Sequence, residues 1–172
     1  MKAYNPGGRF DADFEQKDIF VGIDSDLKSP VGTHALWYIY DPTDTVLDPI
    51  YDTGYVPSVH GGREWRGPFQ IAVVRAVIKQ GTSKVSEAGF YNADQLHLTL
   101  NANDINAIAP GVMDNPDYQD RSRIVWKGEV WRPFDAQQVG IIGENFTLLS
   151  VDCQQVMPDE MVNDPQFSSY AN

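Results

Sequence analysis

The chain has 172 residues, enough for one core, and 42% of them are hydrophobic, with four Trp, eight Tyr and eight Phe available to fill it. A net charge of −11 argues against a protein that coats DNA, which needs clustered Lys and Arg to displace counterions from phosphates. No apolar run of about 18 residues offers a membrane helix. The lone Cys153 excludes an internal disulfide framework and a cysteine-based zinc site, and fits a reducing compartment.

The start, Met-Lys-Ala-Tyr-Asn-Pro-Gly-Gly-Arg, lacks the apolar stretch of a secretion signal, so the protein is expected to stay where it is made. Residues 1–19 carry Pro6, Gly7, Gly8, Asp11, Asp13 and Glu15 and suggest an extended N-terminal arm leading into a short strand at Phe20-Val-Gly-Ile23. The domain proper is expected over residues 20–156. Its first full strand, Ala35-Leu-Trp-Tyr-Ile-Tyr40, is apolar on both faces and stops at Asp41-Pro42, where proline ends extended pairing. A further short strand is expected near Val46 or Tyr51.

Residues 52–68 are rich in turn formers yet carry Tyr55 and Trp65, which marks a long functional or mobile loop. Phe69 to Ile78 is β-branched on both faces and suggests a central strand covered on two sides. Gln80 to Ser83 make a turn and Gly89-Phe-Tyr91 a short strand. Leu96-His-Leu-Thr-Leu100 alternates, which puts the leucines inward and His97 and Thr99 outward. Asn101 to Ala109 predict one or two helical turns capped by Asn103 or Asp104 and stopped by Pro110. A second long loop covers residues 109–122.

The stretch Arg121 to Arg132 holds the most specific local signal. Two apolar-alternating runs flank Lys127-Gly128, and Gly128 can take the positive φ that a tight hairpin turn requires. A two-residue loop there pairs Val125 with Val130 and Ile124 with Trp131, and puts Ile124, Trp126 and Trp131 on one face. Arg123 and Arg132 then oppose each other on the other face, a pair that water or a carboxylate from elsewhere must compensate. Phe146 to Val156 form the last strand, with Leu149, Val151 and Cys153 on one face, and residues 157–172 are a tail without apolar period. Short strands between turns, without long helices, indicate a mainly β protein: a small antiparallel β-barrel or sandwich with long loops and extended terminal arms. Its core is expected to take Ile71, Val73, Leu96, Leu98, Val125, Val130, Leu149 and Val151.

Catalytic spacing is scarce. His34, His60 and His97 form no His-Glu-x-x-His pair, so no metal or other cofactor is expected. Asp11-x-Asp13-x-Glu15 opens like a calcium loop, but Gln16 and Gly22 stand where glycine and a bidentate glutamate belong. His60-Gly-Gly-Arg63 could offer backbone N–H groups to an anion, although loop flexibility explains the same residues. No Gly-x-Ser-x-Gly elbow marks a serine nucleophile, so a Ser, His and Asp set would have to be assembled by the fold. Cys153, within an apolar strand, reads as inert core. No catalytic residue is assigned, and the chain is not expected to be an enzyme.

The order of several motifs resembles the head-to-tail stopper, or head completion, proteins of long-tailed bacteriophages, especially those of actinobacteria. The residues that carry it are Leu36-Trp-Tyr-Ile-Tyr-Asp41, Asp48-Pro-Ile-Tyr-Asp52, Gly62-Arg63 with Trp65, Gly89-Phe-Tyr91 and Leu96-His-Leu98. Asp120-Arg121, Ile124 to Trp131, Val151-Asp152, Val156-x-Pro158-x-Glu160 and Asn163-Asp-Pro165 follow. The resemblance implies a virion protein of the neck, assembled in the host cytoplasm. Its β-barrel subunits would join a homo-oligomeric ring between the portal and adaptor proteins above and the tail terminator or tube proteins below. That ring would close the DNA channel until release, and DNA would pass its lumen without sequence-specific binding. A tail terminator, another minor tail or baseplate protein, a ligand-binding β module and an enzyme of unknown type are the alternatives. Contacts with partners are expected from Phe10, Phe14, Tyr55, His60, Arg63, Trp65 and Phe167, aromatic and charged anchors set among turn residues or acidic charge. Carboxylates such as Asp11, Asp13 and Asp117 would repel the DNA backbone if they faced the channel.

Overall fold

The computed structural model describes residues 11–28, 34–41, 43–45, 63–81, 84–86, 89–91, 94–108, 121–142, 144–161 and 164–170. Eight strands are present in these segments: β1 (His34–Tyr40), β2 (Trp65–Lys79), β3 (Lys84–Ser86), β4 (Gly89–Tyr91), β5 (Gln95–Asn101), β6 (Arg123–Trp126), β7 (Glu129–Ile142) and β8 (Asn145–Gln155). Six of them close a barrel in the order β1-β2-β5-β8-β7-β6, and β3 and β4 pair separately as a two-stranded ribbon. Every neighbouring pair in the barrel is antiparallel. The mainly β, small antiparallel barrel expected from the turn-punctuated strands is therefore the fold.

The β6–β7 hairpin has the register that Lys127-Gly128 imposes, Ile124 opposite Trp131 and Val125 opposite Val130. Both turn residues have positive φ, 53° and 83°, the twist that a two-residue hairpin loop needs. Strand alternation then sends Ile124, Trp126 and Trp131 into the barrel, where they meet Ala35, Trp37, Ile39, Ile71, Val73, Leu96, Leu98, Leu100, Leu149, Val151 and Cys153. Helix α2 (Ala102–Ile108) lays Ile105 against this interior. Between Trp37, Ile39, Ile71, Ile105 and Ile108 the remaining void is about 10 Å³, room for a water molecule at most. Burial pushes the Cys153 thiol far above its ordinary pKa, as expected of an inert core cysteine, with Asp152 adding to the shift.

Several expectations are corrected. Ala12–Ile23 form a helix, α1, in place of the second half of the extended arm and the strand at residues 20–23, while residues 1–10 of that arm lie outside the described residues. Asp11 caps it, its carboxylate accepting from the N–H groups of Asp13 and Phe14 at 3.1 and 3.2 Å, and Asp13 and Glu15 favour its N-terminal end. The acidic pattern that imitates a calcium loop is thus a helix start. The α2 cap is Asn101, which accepts from Asn103 N–H at 3.1 Å, rather than Asn103 or Asp104. Asp104 instead accepts from the Ala72 N–H of β2 at 3.0 Å and ties the helix to the barrel.

Strand β2 is not covered on both faces: Val74 and Ile78 are 41% and 47% exposed. Its β-branched content reflects the preference of these residues for pleated backbone, not double burial. Val125 and Val130 are buried, but outside the barrel wall, in a second cluster with Tyr38, Tyr40, Trp65, Val156, Met161 and Phe167. The tail supplies that cover. Helix α3 (Pro158–Met161) and a 3₁₀ helix (Pro165–Tyr170) fold back over β1, β6 and β7, and this accounts for β1 being apolar on both faces. The strand expected near Val46 or Tyr51 lies outside the described residues.

Candidate assembly surface

Of the side chains expected to make contacts, Arg63, Trp65 and Phe167 come together, in the cluster between barrel wall and C-terminal segment. Trp65 opens β2 opposite Tyr40, and on its other edge the Gln166 carboxamide takes the place of a strand. Its Oε1 accepts from Trp65 N–H at 3.2 Å, and its Nε2 donates to Trp65 C=O at 3.0 Å. The indole Nε1 donates to the Arg121 carbonyl at 2.9 Å. Phe167 meets Tyr38 and Trp65 edge to face, with ring centroids 4.9 and 5.1 Å away. Such pairs add about 0.5–1.5 kcal/mol each beyond the area they bury. Burial first, and a hydrogen bond with Tyr170 second, push the Tyr38 hydroxyl up to about 12.

Asp164 stands at the polar side of this cluster. Its Oδ1 accepts from Arg63 Nε at 3.0 Å and lies 2.9 Å from the second guanidinium nitrogen, while its Oδ2 is 3.7 Å from Arg123. Both Asp164 and Arg123 are almost fully buried, whereas the Arg63 side chain is 37% exposed. The opposition of Arg123 and Arg132 on the hairpin is met in this way by carboxylates from the tail: Asp164 for the first and Glu160, 3.8 Å away, for the second. Burial lowers the Arg123 guanidinium to about 10, and Asp164 only partly offsets it. Arg123 also lies over the Trp65 ring at 5.2 Å, and its NH1 donates to the Ser122 carbonyl at 3.0 Å.

Burial raises the Asp164 carboxyl above the ordinary carboxylate range, against the pull of Arg63 and Arg123. A folded-state value above the unfolded one means that its contribution to stability is fully present below the ordinary value and is lost as pH rises through the raised one. Asp164→Asn cannot ionise. Wild-type stability relative to this variant is therefore expected to fall as pH rises from acid to neutral, read from urea midpoints across that range. The opposite trend would mean that the two guanidinium groups outweigh the burial.

Phe14 lies half-buried on α1, while Phe10, Tyr55 and His60 are outside the described residues, as is Asp117. The sequence gives Tyr38, Asp164 and Gln166 no contact role. The usable signal for Asp164 was the unpaired arginine couple of the hairpin, which required an acid from a distant segment.

The remaining open surface is apolar in places. Phe134 is 51% exposed, and Ile141 and Phe146, directly paired near the end of the long β7–β8 hairpin, are 64% and 39% exposed. Beside that hairpin end, Gln16 and Phe20 of α1, Asn103 and Asn106 of α2, and Gln138 line an open groove of about 400 Å³. Among the described residues no cluster of His, Cys, Asp and Glu is arranged to hold a metal ion.

No family model and no curated protein matches the chain. Among solved structures, it is similar to a chain from the virion of a native gene transfer agent particle, at a TM-score of 0.44 and 13% identity, over 72% of this chain and 93% of that one.

Proposed function

We propose that the protein is a structural subunit of a phage-type virion, a ring-forming stopper that joins head to tail and closes the DNA channel. The observation that supports this reading most is where the recognised motifs fall among the described residues: mostly on the framework of a filled barrel. Leu36 to Asp41 is β1 and its exit, Leu96-His-Leu98 is β5, Ile124 to Trp131 is the β6–β7 hairpin, and Val151-Asp152 is in β8. Glu160 and Asp164, from the last two motifs, anchor the C-terminal segment. Among the described residues side chains fill the interior, and this reading places the work on surfaces. The exposed Phe134, Ile141 and Phe146 are apolar side chains of the kind that neighbouring subunits cover.

In this role Phe134 and the β7–β8 hairpin end contact adjoining proteins, and the acidic N-terminal end of α1 adds to a negative lumen that DNA does not adhere to. The purified chain, mixed with portal and adaptor assemblies, is expected to add as a ring visible by electron microscopy. Particles made without it are expected to leak DNA or remain tailless. Normal, DNA-retaining, tailed particles from a deletion mutant would refute the assignment.

A further inference from the structure

The outer face of the β5–β8 pair carries an arrangement that the joining role does not use. His97 lies directly opposite Asp152, and Ser150 opposite Thr99. Since Leu96, Leu98, Leu149, Val151 and Cys153 fill the interior, alternation turns His97, Ser150 and Asp152 outward together. His97 Nδ1 is 2.7 Å from Asp152 Oδ1, and Ser150 Oγ is 3.2 Å from His97 Nε2. An ionised Asp152 can only accept, so it holds the imidazole proton on Nδ1 and leaves the Nε2 lone pair to the Ser150 hydroxyl. A nucleophile within hydrogen-bond reach of a base, itself oriented by a third group, is the constellation of an activated serine.

We propose that Ser150 is a nucleophile activated by His97 and Asp152, and a site of covalent acylation by activated esters. In the acyl-transfer step the Oγ–C bond forms and the ester C–O bond of the leaving group breaks. The serine proton passes to Nε2 and then to the departing aryloxide, which leaves as the phenol. Side-chain exposures of 29% for His97 and 41% for Asp152 leave the group open to small solutes.

The strand setting also defines the substrate class. Ser150 pairs with Thr99 on one side and Gln137 on the other, and backbone N–H groups inside such ladders are engaged rather than turned toward a developing oxyanion. Donors with good leaving groups, such as aryl esters and fluorophosphonates, can therefore react. Alkyl esters and amides, which need an oxyanion hole, cannot. The acyl group accumulates on Ser150 because its hydrolysis lacks the same stabilisation. The inference stands apart from the assembly role.

A fluorophosphonate probe applied to the full chain tests it, with the labelled peptide identified by mass spectrometry; here the Oγ–P bond forms, P–F breaks, and fluoride and a proton are released. Ser150 is expected to label faster than every other serine, and His97→Gln is expected to slow it roughly a hundredfold, as loss of a general base does. The wild-type chain unfolded in urea supplies a second reference that does not depend on any variant folding. Labelling of native Ser150 no faster than in the unfolded chain, or unchanged by His97→Gln, would overturn the proposal.

Discussion

Trp131→Ala is expected to lower stability by about 3–5 kcal/mol, among the largest losses available to a single substitution in this barrel. The side chain, like that of Trp37, is fully buried, and these two are the largest fully buried side chains among the described residues. Strand β7 holds it opposite Ile124 of β6 and Gln155 of β8, so the surrounding wall is fixed on both sides and can close only partly over a cavity. Trp131→Phe is expected to recover most of the loss. Among the described residues the Trp131 Nε1 has no hydrogen-bond acceptor, so phenylalanine gives up volume but no hydrogen bond. Urea midpoints for the two variants check the ordering. If phenylalanine were as damaging as alanine, the indole N–H would have to be making an interaction that these residues do not supply.

The hairpin and the barrel were legible because their signals are local. Positive φ at Lys127 and Gly128, alternation along Leu96 to Leu100, and the shared face of Leu149, Val151 and Cys153 each follow from a few adjacent residues. Which of two apolar faces points into the barrel is not local information. Val125 and Val130 satisfy the same alternation as Ile124, Trp126 and Trp131, and only the return of the C-terminal segment explains why both faces are buried. Helix α1 escaped for a related reason. Its start is one capping aspartate in an acidic run that also suits a solvated arm, and its sides carry no sustained apolar stripe. The Ser150, His97 and Asp152 group was beyond sequence altogether, because a cross-strand register, not a spacing, brings residues 53 and 55 positions apart into contact.

Phe167→Ala is expected to cost about 3–5 kcal/mol and to release the C-terminal segment before the barrel melts. Phe167 is fully buried between Tyr38 and Trp65, and the segment is also tied by Gln166 on the Trp65 backbone, Asp164 on Arg63 and Arg123, Glu160 on Arg132, Tyr170 on Tyr38, and Met161 in the same cluster. The barrel interior does not include Phe167, so its six-stranded ladder has no direct dependence on the ring. Hydrogen exchange is the measurement: amides of residues 164–170 should lose protection, while those of β5 and β8 keep theirs. Loss of protection throughout would make the segment part of one cooperative unit with the barrel. The result also bears on assembly, because Arg63, Trp65 and Phe167 have the composition of partner anchors and yet spend their contacts on one another. If a Phe167→Ala chain with an intact barrel still adds to a portal and adaptor assembly, the ring contacts belong to other surfaces, with Phe134, Ile141 and Phe146 first among them. If it no longer adds, the folded-back segment itself is what a neighbouring subunit recognises.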